Sequence, residues 1–486
     1  VLTAAQGRRV AVAALACFAA LRVALYAASF PFFTNVDEHR HVDLAWKYSH
    51  AAPPRAGAVP YEPQMAELVA RLGAPDYQLP AGAARRTQPG WLAPPDELTR
   101  RVERNRQLFG RMANLDALES PAYYAIAGSA LAALRGLGVG DERALYALRL
   151  LNALFAAGLV VCAARLLRAT HAGDPLVRWG VPALIACFPQ DAWYYVTADA
   201  LSPLVGGLAF ALWLRLRRAS RRPGAHALAG AVAALAFLTK PTNAFAPALA
   251  ALAPGRWQRR DVLRHVAYAA AFVVPVGAWW IRNQWLAGDA LGSAQKVGAL
   301  GWEPRPFSQW ASHPLLTPSG FWRFTLDLIP HFWRGELVWR RRELAWPAAD
   351  ALYSASTLLC LALALATTWR RPPGAARSAE RASLAAVTLA VATLCLLSLS
   401  FVFPEQGNPS AARPWFYHGR LIGGALLPFA VVFVAGLRAL VQPLPERARV
   451  AAGAALLAAL CIVSLGSEWW LARPVFASPH NLLHLP

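Results

Sequence analysis

Between positions 35 and 41 the chain reads Asn-Val-Asp-Glu-His-Arg-His, which places two carboxylates, two imidazoles and a guanidinium side by side. Asp37 and His41 are spaced i, i+4, as are His39 and Asp43, so on a helix each pair shares a face. A carboxylate beside an imidazole can take a proton from a hydroxyl nucleophile, the work of a general base, which makes Asp37 and Glu38 the catalytic candidates. Oxygen and nitrogen ligands of this kind also suit a divalent metal, but no one helical face collects three of them, and no metal or other cofactor is expected. A plainer reading is a solvated helix start, since acids suit the first turn. Position favours chemistry: the cluster follows an almost wholly apolar stretch, 10–30, and ionisable groups at a membrane boundary are costly to hold.

Five other polar sets stand out. Asp116, Glu119, Tyr123 and Tyr124 surround Pro121, where the alternative is a helix start with interfacial tyrosines. Asp191 lies in an aromatic run followed by Thr197 and Asp199, which also reads as an aromatic belt with a helix cap. Lys240 is one of three lysines (with Lys47 and Lys296) among 48 basic residues. Arginine serves elsewhere as the topology charge, so Lys240 points to an anion, and lysine binds phosphate as a point charge. A snorkelling lysine at a helix end is the alternative. Arg282 follows Trp279-Trp280, and His418 and Arg420 open a late span. These arginines and Lys240 are expected to form a cationic pocket facing Asp37, short of protein partners because the nearby acids belong to the first loop.

The elements that must carry these groups are membrane helices. The chain of 486 residues is 57% hydrophobic and 15% charged, against roughly 25% charged in soluble domains. Apolar runs of about twenty residues recur along its length, as in a polytopic membrane protein. The net charge of +21 sits in short loops between those runs, which excludes nucleic acid as its explanation. Six cysteines fall inside predicted spans without metal-type spacing. The first apolar stretch exceeds a signal-peptide core of about 7–15 residues and reads as a retained anchor.

Arginine-rich short loops mark the cytoplasmic side: 8–9, 165–171, 215–222, 256–264, 370–381 and 447–449. Holding all six inside requires an even number of crossings between each pair. The stretch 121–136 then reads as an interfacial helix, and 225–254 as two short helices meeting at Thr239-Lys240-Pro241-Thr242, because Pro cannot continue a helix cleanly. With spans near 175–189, 199–218, 264–283, 348–368, 382–403, 420–441 and 448–470, about eleven crossings follow. The expected organisation is one all-α membrane domain over 1–486, its N-terminus inside. Loops 31–120 and 284–347 lie outside, and the C-terminal transmembrane helices occupy 348–486. No nucleotide-binding glycine motif and no internal repeat is evident, which weakens an inverted-repeat transporter.

The order of these motifs resembles the C-type fold of integral-membrane glycosyltransferases, more narrowly the bacterial relatives of protein O-mannosyltransferases and lipid A aminoarabinose transferases. The likeness rests on Asp37-Glu38 after the first span, Pro121 with Tyr123-Tyr124, Leu238-Thr239-Lys240, Trp279-Trp280-x-Arg282-Asn283, and Gly419-Arg420. Many relatives read Pro-Pro-Leu where this chain has Ser120-Pro121-Ala122, and the triplet His39-Arg40-His41 is unusual among them. The resemblance implies inverting transfer from a polyprenyl-phosphate sugar to a hydroxyl of a glycan, lipid or protein acceptor, on the extracytoplasmic face of a bacterial inner membrane. It also implies Asp37 as base and Lys240 with Arg420 at the lipid phosphate. His39, His41, Glu119, Tyr123, Tyr124, Asp191, Arg282 and His418 complete the expected substrate site. A glycan polymerase fed by a lipid-linked oligosaccharide, or a lipid or glycan transporter, are the alternative functions.

Overall fold

Long Ala- and Leu-rich runs favour helix throughout, and the chain supplies its own start signals. The computed structural model of the protein describes residues 3–33, 37–77, 79–80, 87–219, 222–252 and 262–481. Asn35 and Val36 of the acidic motif, Arg221, and most of the arginine loop 256–264 lie outside the described residues. Helix α1 (Ala4–Ser29) begins at a reciprocal capping box between Thr3 and Gln6. The first loop folds into α2 (Glu38–Ser49), α3 (Pro63–Leu72) and α4 (Pro95–Gly110), and α5 (Ala122–Gly136) follows. Next come α6 (Asp141–Thr170), α7 (Pro175–Ala186), α8 (Ala198–Ala219), α9 (Pro223–Thr239), α10 (Phe245–Leu252) and α11 (Val262–Ala287). The second loop contributes α12 (Ala294–Ala299) and α13 (Pro318–Arg334). The chain then runs through α14 (Pro347–Thr368), α15 (Ala375–Leu399), α16 (Leu426–Leu440) and α17 (Glu446–Phe476). Proline in the first turn starts α3, α7, α9, α13 and α14, where its missing N–H costs nothing.

Among the described residues eight helices are long and apolar enough to cross a membrane: α1, α6, α8, α11, α14, α15, α17, and α16 together with the 3₁₀ turn Gly419–Ala425 before it. The protein is therefore mostly helical and of polytopic membrane type. The other three segments read as spans fall on shorter helices, α7 with 12 residues, α9 with 17 and α10 with 8. The described strands are three two-residue antiparallel pairs, 59–60 with 113–114, 303–304 with 401–402, and 338–339 with 342–343.

α16 is buried along nearly its whole length, with α14, α15, α7 and α8 around it. α1 packs on α6, α6 on α8, α8 on α9, and α9 on α11. Between apolar helices in lipid, close backbone approach supplies what hydrophobic burial cannot. A Cβ on Gly436 would collide with the Cys360 carbonyl oxygen, and one on Gly230 with that of Tyr268.

Two local features position the polar residues. The chain breaks after Thr239, turns through the 3₁₀ segment Pro241–Ala244, and resumes as α10. Asn243 of that turn accepts a hydrogen bond from Ser202 on α8 at 3.0 Å, and Thr242 donates to the Leu421 carbonyl at 2.5 Å. Lys240 is thereby fastened next to the segment bearing Arg420. That segment was expected to open as a helix at 420, but it begins as 3₁₀ and becomes α only at Leu426.

Candidate active site

Glu38 is wholly buried. Its carboxylate accepts from Arg149 Nε (2.9 Å) and Nη2 (2.7 Å), from Phe33 N (2.9 Å) and from Val196 N (2.9 Å). Arg149 spends its remaining donors on the carbonyls of Ala27, Phe30 and Pro31 and lies 3.6 Å over the Phe32 ring. All five N–H groups of the guanidinium thus have acceptors. The pair ties α2 to α1, α6 and the strand of chain before α8. Nothing on Glu38 is left to meet a substrate, so its place is in the frame of the site.

Asp37, one residue earlier, is set differently. It precedes the first residue of α2 in the left-handed conformation (φ 64°), which costs a non-glycine residue about 1–3 kcal/mol and is a form of strain common at working sites. Its side chain keeps 36% accessibility and faces Arg40 Nε at 3.4 Å. Burial pushes its carboxyl up, but Arg40, Lys296, His41 and Arg420 outweigh that and hold it below the ordinary aspartate range. Because Asp37 stands outside the helical turn, the expected i, i+4 pair with His41 does not form. His41 Nδ1 instead meets the Tyr124 hydroxyl at 2.6 Å, and its Nε2 lies 3.4 Å from Thr197 Oγ1. The second expected pair also fails: Asp43 holds Lys47, Asn114 and the Glu62 amide, while His39 stacks on Tyr61 at 5.7 Å.

From Asp37 the polar contacts run on without a gap. Arg40 reaches Asp116 at 3.7 Å, and Lys296 bridges Asp116 (2.6 Å) to Glu119 (2.7 Å). Tyr124 donates to Glu119 at 3.3 Å and meets His41, which leads through Thr197 to Asp199. Asp199 takes an ion pair from Lys240 and another from Arg420 Nε at 3.7 Å. Tyr123 is buried edge-on against Tyr124. Burial opposes the Lys296 charge, but Glu119 and Asp116 hold the ammonium above its usual range.

Lys240 and Arg420 were expected to lack a protein acid. Asp199 overturns that, because the first turn of α8 delivers a carboxylate between them. Arg282 is not in this group. It donates to the Pro54 carbonyl and to Asn283, with its guanidinium 4.6 Å from the Trp279 ring, because α11 turns that face toward the first loop.

Asp191 and His418 sit in a neighbouring cluster built by the end of α13. Asp191 accepts from the Glu336 amide at 3.1 Å, and His418 Nε2 lies 3.5 Å from Glu336. Burial, then the Glu336 carboxylate, pushes the Asp191 carboxyl up to about 7. Burial lowers His418. The Arg420 charge acts on both Asp37 and Asp191, so it stands between the two clusters. Gly335 has φ 80° and passes so close to Asp191 that a Cβ would overlap the carboxylate.

Among the described residues no three His, Cys, Asp or Glu side chains converge as a metal site. An apolar cavity of about 250 Å³ opens beside the Arg420 segment, with Ile422 and Ala425 of that 3₁₀ turn facing Phe321 and Leu328 of α13 and Leu361 of α14. Sequence reasoning passed over Arg149, although an arginine inside an apolar run is itself a signal. It named Asp116, Asp199 and Lys296 without joining them to the site. No protein-family model matches the chain, and no curated protein matches it.

Proposed function

We propose that the protein is an inverting glycosyltransferase that takes its sugar from a polyprenyl phosphate. The reading keeps the C-type arrangement: about eleven crossings, a cytoplasmic N-terminus, and the Asp37 network on the extracytoplasmic face of a bacterial inner membrane. Its strongest support is that one polar network runs from an accessible, ionised carboxylate to a lysine–arginine pair, and that the 3₁₀ turn bearing the arginine also lines an apolar cavity through Ile422 and Ala425. A general base, an anion clamp and a slot for a hydrocarbon chain are the three parts that this chemistry requires.

In the proposed reaction Asp37 accepts the proton of an acceptor hydroxyl as its oxygen attacks the anomeric carbon. The bond to the phosphate oxygen breaks, and the leaving polyprenyl phosphate is stabilised by Lys240 and Arg420. Such stabilisation of developing charge is usually the largest catalytic effect. Two cations and the Asp199 carboxylate leave one net positive charge, which matches the single negative charge of a sugar phosphodiester. The first isoprene units occupy the cavity by Ile422 and Phe321. Arg22 argues against a transport route, since it is closed off in a buried pair with Glu468 and donates to the Ala186 and Phe188 carbonyls.

Purified protein incubated with polyprenyl-phosphate sugar and a hydroxyl acceptor should release polyprenyl phosphate and form a glycoside of inverted anomeric configuration. Transfer from a nucleotide sugar with none from the lipid donor would contradict the reading.

A further inference from the structure

α8 carries Asp199 in its first turn and Arg217 near its other end, so a rise of ~1.5 Å per residue sets them about 27 Å apart along the bundle. At the Arg217 end a cavity of about 500 Å³ opens between α8, α10 and the start of α15. Arg217, Arg377 and Arg381 line it together with Trp213, Leu249 and Ser378, and among the described residues no carboxylate does. The three guanidinium groups are held by aromatic faces and backbone. Arg217 lies 5.3 Å over Trp213, Arg381 lies 3.8 Å over Trp369, and Arg377 donates to the Trp369 carbonyl at 3.0 Å. The nearest acid on α15, Glu380, is already engaged by Arg371 (2.5 Å), Arg438 (3.1 Å) and His171 (3.3 Å). Gly374, which starts α15 without a side-chain cap, forms part of the wall and leaves first-turn amides in need of an acceptor.

Arginines that serve only as topology charges are scattered around a loop. Here three converge on one concavity with no counter-charge among the described residues, an arrangement that repels itself until an anion enters. We infer that this cavity binds a phosphoryl group, supplied by an acidic phospholipid headgroup in the leaflet opposite Asp37. Charge-assisted bonds from arginine suit a phosphodiester, and the apolar wall of Leu249, Ala382 and Ala385 gives the glycerol end of such a lipid a surface to follow. The site is independent of the reaction proposed above, since it shares no residue with it.

The test uses the full chain in an uncharged detergent, with short-chain phosphatidylglycerol, phosphatidylcholine and inorganic phosphate as probes, read by native mass spectrometry and by thermal unfolding. Phosphatidylglycerol should be retained and should raise the unfolding temperature, while phosphatidylcholine does neither. Arg377→Gln and Arg381→Gln should each weaken phosphatidylglycerol binding by about tenfold or more, the loss of one charged hydrogen bond. Arg447→Gln, at an exposed arginine outside the cavity, should leave it unchanged, and Arg381→Lys should restore part of the loss. Equal retention of both lipids, or unaltered affinity in folded Arg377→Gln and Arg381→Gln proteins, would overturn the inference. Displacement of phosphatidylglycerol by inorganic phosphate at equal concentration would overturn the lipid as source.

Discussion

Glu38 is enclosed by four donors beneath a stacked guanidinium, whereas Asp37, its neighbour in the chain, keeps a third of its side chain accessible and faces Arg40 at 3.4 Å. The two acids are chemically alike and adjacent, so the difference lies in what folds over them. Arg149 comes from α6, 111 residues away, and closes on Glu38 from within the helix bundle. Arg40, Lys296 and Arg420 act on Asp37 from the loop side and leave a face open. The closed acid fixes the start of α2, and that fixed start holds its strained neighbour toward the network. A structural carboxylate next to an accessible one is the lesson of the pair.

The largest effect should follow from breaking the closed half. Arg149→Met strands the buried Glu38 charge, which typically costs about 3–5 kcal/mol. Thermal unfolding in detergent should show a large loss, and a variant as stable as the parent would remove Glu38 from the frame. On the open half, Lys240→Met and Arg420→Met should each weaken binding of a polyprenyl-phosphate sugar by about 1.5–3 kcal/mol, the scale of a charged hydrogen bond. The two losses should not add, because both cations meet Asp199 and the same phosphate. Isothermal titration of single and double variants decides this, and an unchanged affinity would reduce the pair to packing.

The neighbouring cluster supplies a smaller, pH-dependent effect. Asp191 has its carboxyl raised to about 7 by burial and by Glu336, so the folded state holds its proton more tightly than the unfolded chain does. Its contribution to stability is therefore complete below the ordinary aspartate range and is lost as pH rises through about 7. The unfolding temperature of Asp191→Asn should vary less with pH between about 4 and 7 than that of the parent. An identical slope would show that Asp191 does not titrate there. The smallest change is expected at His39, which stacks on Tyr61 outside the network. His39→Phe should alter stability by no more than about 1 kcal/mol and leave transfer intact, and a large loss of transfer would return His39 to the site.

How much of this was legible follows from range. The apolar runs declare membrane helices, and Pro241 declares the break that sets Lys240 at the end of α9, since both signals are local. Asp37, His41, Glu119, Tyr124, Lys240 and Arg420 were all marked by residue type, and the fold joins them. Their pairings were not legible. Periodicity relates residues three or four apart, whereas Lys296 meets Glu119 across 177 residues and Lys240 meets Asp199 across 41. Where the i, i+4 rule was applied to Asp37 and His41 it failed, because Asp37 lies outside the helix whose geometry the rule assumes.

The central claim is that Asp37 performs proton transfer while Lys240 and Arg420 hold the donor. Parallel measurement of transfer rate and donor affinity in Asp37→Asn separates these roles, since the amide keeps the shape of the carboxylate and loses its basicity. The account predicts a folded protein with donor affinity near that of the parent and a rate lowered by about 10² or more, the usual contribution of a positioned base. A folded Asp37→Asn protein that transfers sugar at nearly the parent rate would contradict it.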